Sequence, residues 1–286
     1  MVEEIHQKCS SMDVENFWAN FFPEVPQAFL TIMLLPSRRF AKKTAETAMY
    51  DPLIDALAPF SMNMQLVDTH ATPDPSVFNP GLLKPEISVY KAKDIIDPIT
   101  QFSRMETHVE LKLAAMNDAF SDEGALESSS ELGHDIQGQL VSYINAQLGS
   151  QHHTHPFTVF ICASKARLLR WDRTGVIVTR AFPYDSGEST YLQEFFWRFS
   201  HAGNVTRGWD TTVTVPTPDE TAQAQHSLDT DESETLYTFA VYDDINLDPE
   251  HAYFIAGKPF EGHTYPTGRA TRCFIVYHSA ENEMSS

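Results

Sequence analysis

The sequence predicts an α/β (α+β) chain: a mixed central sheet with flanking helices, followed by a second, β-rich segment. Three observations carry this. Residues Thr107 to Leu113 alternate apolar and polar side chains with period two, the pattern of a strand. Ile136, Leu140, Ile144 and Leu148 recur every four residues, the pattern of a helix packed along one stripe. After an acidic stretch at 206–235, strand-like runs return at Leu236–Tyr242, Ala252–Ala256 and Arg272–Tyr277.

Residues 1–45 read as a helical extension, with a short helix around Phe17 and Trp18 and a stretch broken by Pro23, Pro26 and Pro36. Ser37 is placed to cap a helix running through Ala48 toward Leu57. The basic cluster Arg38, Arg39, Lys42 and Lys43 on it reads as a solvated face, with a nuclear-import signal as the alternative.

Residues 46–205 form the main α/β module. Ile87, Val89 and Tyr90 mark one strand. Thr107 to Leu113 mark the next, with His108, Glu110 and Lys112 on a polar edge or face. The acidic, Ser-rich stretch from Asp118 to Glu131 is a loop, and the Ile136–Leu148 helix ends at Gly149. Phe157–Cys162 and Ala166–Trp171 are strands joined by a turn at Ser164-Lys165. The Asp172–Gly175 turn leads to a third strand, Val176–Ala181. Leu192, Phe195, Phe196 and Phe199 define an amphipathic helix ended by Gly203. Residues 206–235 read as an acidic linker and 236–286 as a further β segment.

Composition narrows the function. The chain has 286 residues, 42% of them hydrophobic, and a formal net charge of -19. That charge disfavours broad, non-specific binding to nucleic acid or to an anionic membrane. Cys9, Cys162 and Cys273 are far apart and odd in number, which fits a reducing, intracellular setting, cytoplasmic or nuclear. The first residues show no secretory signal, and no run is long enough to span a membrane.

One constellation suggests chemistry. Pro85-Glu86 followed by Glu110-Leu111-Lys112 has the form P-(D/E)…(D/E)-x-K, the signature of restriction-endonuclease-like folds. Glu86 and Glu110 on adjacent strands would supply oxygen ligands to Mg²⁺, the cofactor this chemistry calls for. The ion would polarise a phosphodiester and activate water. Lys112, two residues on, faces the same way as Glu110 and would orient that water. The strand, strand, helix, strand order fits this fold, and Gln139 and Tyr143 share one helix face beside it. Two functions stay open: a Mg²⁺-dependent nuclease using Glu86, Glu110 and Lys112, or a solvated Glu110–Lys112 pair on an edge strand.

A basic segment follows, Lys165, Arg167, Arg170, Arg173 and Arg180, opposed in sequence by Asp172. It reads either as a phosphate-contacting patch for nucleic acid or as a hairpin paired within the molecule. Trp171 reads as core. His152, His153 and His155 read as a solvent loop, since nothing nearby completes a metal set.

Several segments resemble the fungal-type protein kinase family. They are Lys84–Tyr90, the helix around Gly138-Gln139-Leu140, Ala166–Gly175, Glu194–Phe199 and Pro266–Arg272, in the family's order from about residue 46 onward. The resemblance implies a region that precedes and enters the kinase domain, with 236–286 an incomplete kinase N-lobe. It implies continuation into a strand bearing the ATP-binding lysine, which these residues do not contain. No H-R-D, D-F-G or G-x-G-x-x-G motif is present, so no complete ATP site is expected. The family usually has Asp where this chain has Glu86. The implied role is a non-catalytic binding or regulatory module acting on a protein partner or a kinase domain in trans.

Overall fold

The computed structural model describes residues 5–23, 45–76, 83–94, 99–185, 189–243, 248–262, 267–268 and 271–278. The basic cluster Arg38–Lys43 and the proposed Ser37 cap lie outside these residues. The chain forms two compact units, one built from residues up to Trp209 with 265–268, the other from 210–264 and 269–286.

The first unit is a mixed eight-stranded sheet covered on both faces. Its strands are β1 (Cys9–Met12), β2 (Met64–Asp68), β3 (Ile87–Lys91), β4 (Thr107–Lys112), β5 (Phe157–Cys162), β6 (Lys165–Asp172), β7 (Gly175–Thr179) and β8 (Phe182–Pro183). The spatial order is β1-β7-β6-β5-β4-β3-β2, with β8 added to β6. Neighbours run antiparallel except β4 with β5 and β1 with β7. A parallel pair needs a long crossover. Helix α3 (Glu131–Ser150) supplies it between β4 and β5, after α1 (Val14–Phe21) and α2 (Tyr50–Leu57). Helix α4 is Tyr191–His201.

Local sequence explains these elements. The Ser130 side chain caps α3 by accepting from the Gly133 N–H. The helix continues through Gly149 to Ser150, so Gly149 does not end it; its period-four apolar stripe outweighs the local cost of one glycine. The β5–β6 hairpin turns at Ala163-Ser164 rather than Ser164-Lys165, with Ala163 at φ 54°. Helix α4 stops at His201, with Ala202 as its C-cap returning an N–H to Arg198 and Gly203 the next residue.

Strand parity sorts the two faces of the sheet. Val109, Leu111, Phe157, Val159, Ile161 and Leu168 face one way and pack on α1, α2 and α4. Phe160, Leu169, Trp171 and Val178 face the other way and pack on Leu140, Val141, Ile144 and Leu148 of α3. Each fully buried aromatic or branched side chain stabilises the fold by about 1.5–3 kcal/mol. Residues 5–22, within the expected helical extension, are part of the first unit. β1 extends the sheet beyond β7, and Phe17 and Phe22 sit in the core with Phe157, Phe195 and Phe199. Gly175 permits this edge, because a Cβ there would lie 2.0 Å from the Lys8 carbonyl oxygen at φ +151°.

The second unit holds β9 (Val213–Thr214), α5 (Pro218–Leu228), β10 (Tyr237–Asp243), β11 (Asp248–Ala256), β12 (Glu261–Gly262), β13 (Arg272–Cys273) and β14 (Tyr277–His278). One sheet has the order β14-β11-β10-β9; β12 pairs with β13. Residues 206–235, expected as a linker, contain α5. Thr217 and Glu220 form a reciprocal capping box, and Pro218 fits the first helical turn. Ala224 of α5 packs with Leu236 and Ile255.

Candidate functional site: a carboxylate–lysine centre

β4 is not an edge strand. It lies between β3 and β5, and its polar row is buried against α3. The register of β3 and β4 brings Glu86, Glu110 and Lys112 together at one end of the sheet. Lys112 Nζ lies 3.0 Å from Glu86 Oε1 and 2.5 Å from Glu110 Oε1. Glu110 is fully buried and Glu86 is 7% exposed, so the three sequence-predicted residues do form one centre. The solvated edge pair is therefore excluded.

The electrostatics follow from burial. Desolvation and the neighbouring Glu86 push the Glu110 carboxyl well above the usual carboxylate range, against the pull of Lys112. Burial opposes the charge on Lys112, but the two carboxylates outweigh it and hold the ammonium above its ordinary value.

Flanking groups complete the surroundings. Tyr143, on α3, donates to the Lys84 carbonyl and receives a hydrogen bond from Gln139 at 2.7 Å. Burial, then the charges of Glu110 and Glu86, raise its phenol. Gln139 and Tyr143 thus act as one pair beside the centre, as their spacing predicts. Two residues escaped the sequence reading. Glu46, in a short 3₁₀ turn before α2, is half-buried, and desolvation raises its carboxyl; Lys112 and Glu86 also act on it. Tyr50 donates to Glu46 Oε1 at 3.3 Å. The available signal was Glu46-x-x-x-Tyr50, one turn apart on a helix.

A divalent ion does not fit this arrangement. The ammonium, not a vacant oxygen cage, bridges the two carboxylates. Among the described residues, no group of three or more His, Cys, Asp or Glu is arranged to hold a metal.

The basic hairpin is spent internally. Arg167 is 3% exposed and points under α3. It donates to Asp122 at 2.6 Å, Asp118 at 3.3 Å and the carbonyls of Thr179 and Phe120. Arg170 faces the opposite side of the sheet, pairs with Asp172 at 2.6 Å and covers the Phe21 ring. Lys165 is exposed and Arg173 half-buried. Successive residues of one strand point to opposite faces, so Arg167 and Arg170, three apart, do not share a surface. Arg180 pairs with Asp13. Trp171 is core, donating to Thr158 Oγ1.

His153 is buried rather than in a solvent loop. It packs on Trp209 with ring centroids 4.2 Å apart, and burial lowers its pKa to about 3. Nearby, buried Glu106 pairs with Lys91 at 3.1 Å and Arg207 at 2.9 Å and accepts from Trp209 Nε1. His155 is held by Thr154 and the Thr206 carbonyl. Cys9, Cys162 and Cys273 are free thiols.

A cavity lined by Phe22, Pro23, Arg198, His201, Gly203 and Thr206 shares no residue with the centre. Among the described residues no helix is long and apolar enough to cross a membrane. Comparison with protein-family models, with curated proteins and with solved structures finds no match.

Proposed function

We propose that this chain is the N-terminal, non-catalytic region of a fungal-type protein kinase, and that it binds a protein partner or a kinase domain in trans. One observation carries the non-catalytic reading: the Lys112 ammonium lies between Glu86 and Glu110 from within the fold, 3.0 and 2.5 Å away. The internal pairing of Arg167 supports it, because that cation would otherwise serve phosphate binding. So does the lack of the kinase motifs that hold Mg²⁺-ATP and supply the base. In this reading residues 46–205 are a restriction-endonuclease-like framework used as a scaffold, and folds are commonly reused this way.

The test is direct. The full chain with ATP and a generic protein substrate is expected to transfer no phosphate. It is expected to bind a kinase domain of the same family, read by calorimetry. Phosphate transfer, or a failure to bind such a domain, would overturn the proposal.

A second reading is a Mg²⁺-dependent nuclease. The observation in its favour is the convergence of Glu86, Glu110 and Lys112 at one end of β3 and β4, beside Gln139 and Tyr143. It requires Lys112 to release a carboxylate. DNA cleavage with Mg²⁺ or Mn²⁺ that disappears in Glu110→Ala would establish it; equal, absent cleavage in parent and variant would remove it.

A further inference from the structure

The first unit has a second place where polar groups converge, away from the carboxylate–lysine centre. Where α4 ends, Arg198, His201 and Gly203 meet Phe22, Pro23 and Thr206 around a cavity of about 220 Å³. Pockets for drug-sized ligands hold about 300–1,000 Å³, so an occupant here is smaller. Phe22 and Pro23 give the cavity an apolar side. The ionisable groups on its wall are an arginine and a histidine, and no carboxylate is among the described residues that line it. The chain as a whole has 39 acidic and 20 basic residues, so a wall of this sign stands apart from its surroundings and favours an anion.

Arg198 supplies the donors. It is 8% exposed. Its Nε and Nη2 donate to Glu194 Oε1 at 2.7 and 2.5 Å, and its Nη1 donates to the Phe22 carbonyl at 2.6 Å. The Trp18 ring centroid lies 5.1 Å from Cζ and covers one face. A guanidinium has five N–H groups, so three are spent on fixing the head and two remain to donate. His201 is oriented in a similar way. Its Nδ1 donates to the Trp197 carbonyl at 2.8 Å, which leaves Nε2 for a ligand. Arg207 holds the turn that follows, donating to the Ala202 carbonyl and to Asn204 Oδ1, each at 2.7 Å. Groups fixed before a ligand arrives lose little freedom when it binds.

We propose that this cavity binds a small aromatic carboxylate. The carboxylate takes the unspent N–H groups of Arg198, and the ring lies against Phe22 and Pro23. An ionised acceptor makes the stronger hydrogen bond to a charged donor, and Glu194 already occupies the Nε edge of the guanidinium. A flat ring brings apolar area with no rotatable bonds, which suits a cavity this small. The inference goes beyond the partner-binding role proposed above and does not depend on it.

The experiment uses the full chain and para-fluorobenzoate, with binding read from the fluorine NMR line width at ligand concentrations up to about 10 mM, since ligands of this size bind weakly. para-Fluorobenzamide, of the same shape without the charge, is the comparison. Gly203→Leu tests the location. A Cβ at Gly203 meets no atom within 4 Å, and Gly203 is not in the left-handed region, so the new side chain enters open space without straining the turn. The expected result is fluorobenzoate binding by the parent that weakens about tenfold or more in Gly203→Leu, with fluorobenzamide about tenfold weaker than fluorobenzoate on the parent. No line broadening with the folded parent overturns the proposal. So does equal affinity in a folded Gly203→Leu protein, which would place the ligand elsewhere. Equal affinity for the amide overturns the carboxylate assignment. If Gly203→Leu loses the far-UV circular dichroism of the parent, Gly203→Val, with a shorter side chain, replaces it and is read in the same way.

Discussion

Replacing Arg167 by Met separates a structural role for the basic hairpin from a nucleic-acid role. Met keeps most of the apolar stem and removes the guanidinium. The guanidinium is buried and serves four acceptors: Asp122, Asp118 and the carbonyls of Thr179 and Phe120. Breaking a buried ion pair by removing one partner costs about 3–5 kcal/mol. Here the two aspartates are each 26% exposed and regain water, so the cost falls to about 2–4 kcal/mol. For a unit of this size that corresponds to a fall in Tm of roughly 5–12 °C. Urea unfolding followed by tryptophan emission reads the loss, and Trp171 on the same strand face reports the region directly. Anisotropy with a short DNA duplex is measured in parallel and is expected not to change. A variant within about 0.5 kcal/mol of the parent, the range of an ordinary surface substitution, would refute the structural reasoning. If that variant also lost DNA affinity, the hairpin would be a nucleic-acid surface.

Three further outcomes are expected. Glu106→Ala leaves Lys91 and Arg207 without their shared buried anion and costs about 3–5 kcal/mol, with a red shift of Trp209 emission; unchanged emission and stability would refute the ion-pair account. His153 titrates near 6.5 when unfolded and about 3 when folded, so the unfolded chain takes up the extra proton as pH falls. Its contribution is intact above pH 6.5 and is lost on acidification toward the folded value, at a slope of about 1.4 kcal/mol per pH unit. His153→Phe therefore flattens stability against pH between 6 and 4 relative to the parent, and parallel curves would refute the assignment. Gly175→Ala drives a Cβ into the Lys8 carbonyl and costs about 1–3 kcal/mol. Amide exchange along β1 and β7 should rise; protection equal to the parent would refute the close approach.

The carboxylate–lysine centre was legible because its signal is local. Glu110 and Lys112 share a face by strand parity, and the strand order around them follows from alternation and helix period. Glu46 and Tyr50 were not legible, since their place beside Lys112 is set by how α2 meets the sheet. Cys9–Met12 falls in the stretch that reads as a helical extension and becomes a strand because β7 offers an open edge. The fate of Arg167 was hidden as well: Asp118 and Asp122 lie far back in a loop whose return to the sheet no short-range pattern encodes. Helix α5 is a different case. Its Thr217-Pro218-x-Glu220 start was readable, but its weak apolar stripe allowed the acidic composition to suggest a linker.

The parallel pairing of β1 with β7 has a consequence for synthesis. Cys9 pairs with Val176, so β1 leaves the ribosome long before the strand it pairs with and waits for it. At about 5–20 residues per second that wait is roughly ten to thirty seconds. During it Phe17, Trp18 and Phe22 also lack the Phe157 and Phe199 surfaces that cover them in the finished unit. The segment around Phe17, Trp18 and Phe22 is thus exposed and aromatic while the chain up to β7 is made, a natural client for chaperones that engage chains as they emerge.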